Sequence, residues 1–171
     1  SPRSMNTAIA PAASLADAFA HAERLLESDP RLAAEQARAI LEVVPRHADT
    51  TRVLAAALRL SGQPQAALET VGPLAQALPN LPLAQLELGL CLERLGLTAE
   101  AAKAFDRASA LEPRLSEAWR GLSENLALLG DHDGAERALA RQLRASTRDP
   151  LLIEAATALG DNRLAEAERL L

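Results

Sequence analysis

The chain has 171 residues, 49% of them hydrophobic, 24% charged and 2% aromatic, with a net charge of −5 from 23 acidic and 18 basic residues. That length suits one domain with a sizeable apolar core, and the apolar share excludes a chain disordered by composition. An acidic chain with no tyrosine, two phenylalanines and one tryptophan also lacks the basic footprint and the stacking platform of a nucleic-acid binder.

Alanine, leucine, arginine and glutamate favour helix, and the β-branched and aromatic residues of strands are scarce, so the fold predicted is all-α. Lys103 is the only lysine, and this arginine and alanine bias reads as a GC-rich bacterial genome. The single cysteine, Cys91, cannot form an internal disulfide, which fits a reducing, cytoplasmic setting. No apolar run approaches the roughly 18 residues of a membrane span, so no membrane insertion is expected.

In chain order, Ser1 to Ser4 precede Met5 and read as a cloning remnant, with residues 1–13 as a flexible tail. Between Met5 and His21 there is no Lys or Arg, and Asp17 interrupts the apolar run, which argues against a secretory leader. From there a period of 34 residues sets in: turn glycines at Gly62, Gly96 and Gly130, and prolines at Pro45, Pro79 and Pro113. Leu54, Leu88 and Leu122 share it, as do Leu58, Leu92 and Leu126, and Ala67, Ala101 and Ala135.

Each column has a physical reason. The leucines four apart lie on one face of a first helix. The glycine follows, where a left-handed C-cap needs a residue without Cβ. Thr98 and Asp131 then offer an oxygen near the start of a second helix. The small alanine lets the two helices approach, and the proline closes the second helix and opens the link. The units run about 14–47, with Ser28 in the glycine place, then 48–81, 82–115 and 116–149. A fifth, 150–171, is incomplete: Gly160 and Ala165 each fall 30 residues after Gly130 and Ala135, about one helical turn short. An unfinished last unit without a polar cap implies an N-terminal piece of a longer bacterial protein.

These columns resemble those of the tetratricopeptide repeat (TPR) family over about residues 14 to 171. Leu88, Gly89, Leu92, Ala101, Phe105, Ala108 and Pro113 occupy its signature columns, followed by Trp119, Leu122, Leu126 and Ala135. The resemblance implies a right-handed α-solenoid of antiparallel helix pairs whose first helices line a concave groove. It also implies a protein or peptide partner and no cofactor.

Continuing the register, Leu15, Ala18, Ala22, Leu25 and Asp49 are expected to line that groove, with Arg52, Ala56, Arg59, Leu83, Leu86, Leu90, Glu93, Arg94, Glu117, Arg120 and Glu124. Its centre, Leu83, Leu86 and Leu90, reads as an apolar patch framed by charge, a binding-surface pattern unless the superhelix curls over it. Members that bind chaperones use a two-carboxylate clamp, but Ala18, Ala22, Val53, Leu83 and Glu87 stand at the matching positions and cannot hold a terminal carboxylate.

Cys91 lies mid-helix without a neighbouring base and reads as a small half-buried residue. The segment "GDHDG", Gly130 to Gly134, reads as the inter-helix turn rather than a metal loop, and Trp119 as core. No catalytic, metal or cofactor site is expected. The function implied is a non-catalytic scaffold that binds a peptide or helix of a partner. One alternative is the regulatory or targeting region of a larger enzyme, such as a TPR–sulfotransferase fusion, since "DPLLIEAATALGDNRLAEAERLL" is similar to segments of that group. Another is a homodimer docked through Leu164, Leu170 and Leu171 of the incomplete unit.

Overall fold

The computed structural model describes residues 11–147 and Glu154. The first ten residues and, Glu154 apart, the expected fifth unit with Gly160, Leu164, Ala165, Leu170 and Leu171 lie outside the described residues.

The described residues form α-helices only: α1 (Pro11–Ser28), α2 (Pro30–Val43), α3 (Ala48–Leu60), α4 (Pro64–Ala77), α5 (Pro82–Arg94), α6 (Thr98–Leu111), α7 (Ser116–Leu128) and α8 (His132–Ser146). α1 begins at Pro11, ahead of the expected Ser14. Every helix packs on the next, and α1, α3, α5 and α7 also touch in series. The even-numbered helices do not meet one another. A stack whose odd helices touch while its even helices splay must curve toward the odd side, which is therefore the inner face. No helix among the described residues is long and apolar enough to cross a membrane.

Local chemistry sets the helix ends. Gly62, Gly96 and Gly130 take φ of 81°, 74° and 83°. The next residue's N–H reaches back to a repeat-column leucine carbonyl: Gln63 to Leu58 at 2.8 Å, and Leu97 to Leu92 and Asp131 to Leu126 at 2.9 Å. This closes the helix with a left-handed residue that L side chains resist. Pro30, Pro64 and Pro82 open α2, α4 and α5 at a position where the missing N–H costs nothing. Asp29 caps α2 by accepting from the Leu32 N–H, and Asp131 caps α8 by accepting from the Gly134 N–H at 2.9 Å. Thr98 does not cap α6: it is already helical, Leu97 holds the cap position, and the Thr98 hydroxyl turns to the Gly96 carbonyl 3.5 Å away.

The core falls into two clusters rich in alanine and leucine, and the second surrounds one ring. Ala67 and Ala101 are fully buried between paired helices, and Ala135 is nearly so. Phe105 on α6 is fully buried, and its ring fills the space between Gly89 on α5 and Gly121 on α7. A Cβ at those glycines would sit 2.8 Å and 2.5 Å from the ring. Burying such a ring is worth roughly 2–3 kcal/mol, and it requires glycine on both flanking helices.

Candidate partner-binding surface

Arg52 and Arg59 stand two turns apart on α3 and so share a face. Both are paired to neighbouring first helices. Arg52 donates from Nη2 to Glu23 of α1 at 2.9 Å. Arg59 makes a two-pronged contact with Glu87 of α5, Nε to Oε1 at 2.6 Å and Nη2 to Oε2 at 3.2 Å. Farther along, Arg120 of α7 lies 3.6 Å from Glu93 of α5 and 2.6 Å from Glu124 on its own helix. Asn125 completes that node, donating to Glu93 Oε1 at 2.9 Å and to the Gly121 carbonyl at 2.8 Å. The mixed charge of the inner face thus stitches successive first helices together, and most of it is not held out toward a ligand. Arg94, Glu117 and Glu124 remain exposed, while Ala56 is buried.

The expected apolar patch is corrected. Leu86 and Leu90 are only 7% and 8% exposed and belong to the core with Phe105, Ala118 and Leu122. Their face of α5 meets other helices, so the solenoid covers them. Ala22 is likewise buried, and Leu15, Ala18 and Leu25 pack against the core. Of the three central leucines only Leu83, 44% exposed, stays at the surface.

Leu83 and Arg52 come together at a cavity of about 110 Å³, lined also by Asp49, Leu74, Leu81 and Ala48. Arg52 Nε is buried without a hydrogen-bond partner among the described residues. Neither Leu74 nor Leu81 was marked by the repeat register, because one lies at the end of a second helix and the other in a link. Glu23 and Glu87 were likewise missed as partners of Arg52 and Arg59. The signal for them is an opposite charge 29 or 28 residues away, a little under one period.

Cys91 is fully buried rather than half-buried, with Sγ 3.6 Å from Glu87 Oε1. Burial, then the Glu87 carboxylate, push its thiol up to about 12. A thiol held there stays protonated at neutral pH and is a poor nucleophile. Burial also lifts the Glu87 carboxyl above its ordinary value, against the pull of Arg59. For Arg59, burial opposes the charge, but Glu87 outweighs it and the guanidinium is held above its usual value. In the "GDHDG" segment Asp131 is committed to its cap, and His132 and Asp133 open α8 at the surface. Trp119 is partly buried against the core, with its indole N–H donating to the Pro113 carbonyl at 2.9 Å.

No family model matches the sequence, and no curated protein matches it. Solved structures do. A thermophilic TPR protein of Thermus thermophilus, TTC0263, superposes with a TM-score of 0.70 at 20% identity, over 91% of this chain and 87% of its own. A crystal structure of MamA gives 0.64 at 20% identity, over 84% and 85%. MamA from residue 41 to its end, from Desulfovibrio magneticus, gives 0.65 at 19% identity, over 77% and 75%. Paired helices, positive-φ turn glycines and touching first helices agree with that likeness, and the chain has the fold of a tetratricopeptide repeat solenoid.

Proposed function

We propose that the chain is a non-catalytic protein-interaction scaffold, and that an apolar side chain from a partner's peptide or helix enters the inner-face cavity between α3 and α5. The observation that carries this reading is the exposed Leu83 at a leucine-lined cavity of about 110 Å³ that Arg52 also lines. The partner's side chain would displace water from Leu81 and Leu83, with Asp49 and Arg52 among the lining residues for polar contact. Helices already locked by the Glu23–Arg52 and Arg59–Glu87 pairs lose little freedom on binding, which favours affinity. Both an extended peptide and an amphipathic helix present an apolar group in this way. Cys91, the one thiol, is protonated and buried, which speaks against covalent chemistry by it.

Affinity capture from the native cells, with the full chain as bait, tests the reading. A stoichiometric protein recovered by wild type and lost with Leu83→Glu, while circular dichroism stays helical, is the expected result. Equal recovery by Leu83→Glu and Arg52→Ala would overturn it.

A further inference from the structure

On the opposite side of the solenoid, a larger groove of about 520 Å³ lies between the C-terminal half of α6 and α8, with Trp119 of α7 among its lining residues. Arg137, Arg141 and Arg144 occupy one stripe of α8, spaced by four and three residues, and all line this groove. None forms an ion pair among the described residues, in contrast to Arg52, Arg59 and Arg120 of the inner face.

Comparison with the preceding unit explains why. One period earlier, Gln85 stands in the column of Trp119 (119−85 = 34), and Arg107 in that of Arg141 (141−107 = 34). Gln85 and Arg107 both turn to the link before α5: Gln85 Nε2 lies 3.2 Å and Arg107 Nε 3.4 Å from the Pro79 carbonyl, and Arg107 Nη2 lies 2.5 Å from Asn80 Oδ1. In the later unit the indole N–H alone takes the Pro113 carbonyl, and Arg114 replaces the asparagine acceptor. Arg141 is left with the face of the ring, its guanidinium carbon 5.8 Å from the Trp119 centroid. Arginine in place of the asparagine acceptor removes a partner that Arg141 would otherwise have, and tryptophan in place of glutamine supplies an apolar floor.

We propose that this outer groove is a second docking site, specific for a short acidic peptide segment of a protein. Its carboxylates would pair with Arg137, Arg141 and Arg144, and an interleaved apolar side chain would cover the indole. The groove also carries Asp106 and Asp131. Asp131 is held by its cap but keeps its charge, so both carboxylates oppose a second anion beside the three arginines. That opposition, with the chain's net charge of −5, disfavours a long polyanion such as nucleic acid and suits a few carboxylates at matched spacing.

Trp119 is the only tryptophan, so intrinsic fluorescence reports this groove directly. The full chain is titrated with a short blocked peptide alternating leucine and glutamate, with its leucine–glutamine counterpart, and with a single-stranded oligothymidylate. A saturable fluorescence change with the glutamate peptide alone is expected. The double variant Arg137→Ala/Arg141→Ala should weaken it about tenfold, the scale of two exposed ion pairs. Asp106→Asn should tighten it, and Leu83→Glu on the inner face should leave it unchanged. No response to the glutamate peptide, equal response to the glutamine peptide, or tighter binding of the oligonucleotide would each overturn the proposal. Failure of Leu83→Glu to affect partner capture would bear on the inner face alone.

Discussion

Arg59 and Glu87 join α3 to α5 through two hydrogen bonds of 2.6 Å and 3.2 Å, with side chains only 16% and 6% exposed. Such a pair does not stabilise in proportion to its Coulomb attraction, because both charges have left water. Its leverage is asymmetric: removing one partner strands the other.

Arg59→Ala is therefore expected to lower stability by about 3–5 kcal/mol, since it leaves a buried carboxylate uncompensated. Glu87→Gln, which keeps an acceptor for the guanidinium, should cost less, about 1–3 kcal/mol. The double variant Arg59→Met/Glu87→Leu should return to within about 1 kcal/mol of wild type, because volume is kept and no charge is buried. Urea unfolding of the wild type, Arg59→Met, Glu87→Leu and their double variant gives the coupling directly. Additive losses in the double variant would contradict the pairing described.

Phe105 sets a second prediction. Gly121→Ala should gain about 1 kcal/mol of helix propensity. It nevertheless places a methyl 2.5 Å from a fully buried ring, so a net loss of about 1–3 kcal/mol is expected. Gly62→Ala, whose Cβ would meet nothing within 4 Å, should lose about 1–2 kcal/mol through its φ of 81° instead. Adding Phe105→Leu separates the two causes. It should make Gly121→Ala less costly than it is in the wild-type background and leave the cost of Gly62→Ala unchanged.

Cys91 makes stability sensitive to alkali. Its folded pKa is raised from 9.0 to about 12, so its contribution is fully present below pH 9 and is lost as pH climbs toward 12. The sign follows from the unfolded thiol releasing its proton first, which draws the equilibrium toward the unfolded chain. A Cys91→Ala variant should show a flatter stability profile across that window, although it starts lower by the volume removed. Near neutral pH, iodoacetamide should label Cys91 only as fast as the surrounding helices open. Rapid labelling of the native chain would contradict its burial.

Leu83 and Leu86 separate surface from core on one helix. Leu86→Glu should unfold or severely destabilise the chain, by more than about 3 kcal/mol, because it buries an unpaired charge. Leu83→Glu, at a residue 44% exposed, should change the urea midpoint little while removing partner capture. If both variants unfold equally, α5 is packed on the side assigned to the inner face.

The repeat itself was legible in the sequence because its causes are local. A residue without Cβ must follow a helix that ends in a left-handed turn, and Gly62, Gly96 and Gly130 mark those turns. A small side chain must sit where two helices of one unit cross, and Ala67 and Ala101 do. Period and residue type were therefore enough for the all-α solenoid and its turns. They were not enough for the capping of α6, where Thr98 falls one residue inside the helix.

What the tertiary structure decided is which inner-face residues are available. Leu86 and Leu90 share their helix and residue type with Leu83, yet packing against α6 and α7 takes them into the core and leaves Leu83 outside. Arg59 and Glu87, 28 residues apart, become one buried unit. Arg141 lies over the Trp119 ring, whereas Arg107 one period earlier reaches the Pro79 carbonyl and Asn80. None of these outcomes follows from periodicity. Repeat spacing places a residue on a helix face, but the angle at which the next helix crosses that face determines whether it meets water, carbon or an opposite charge.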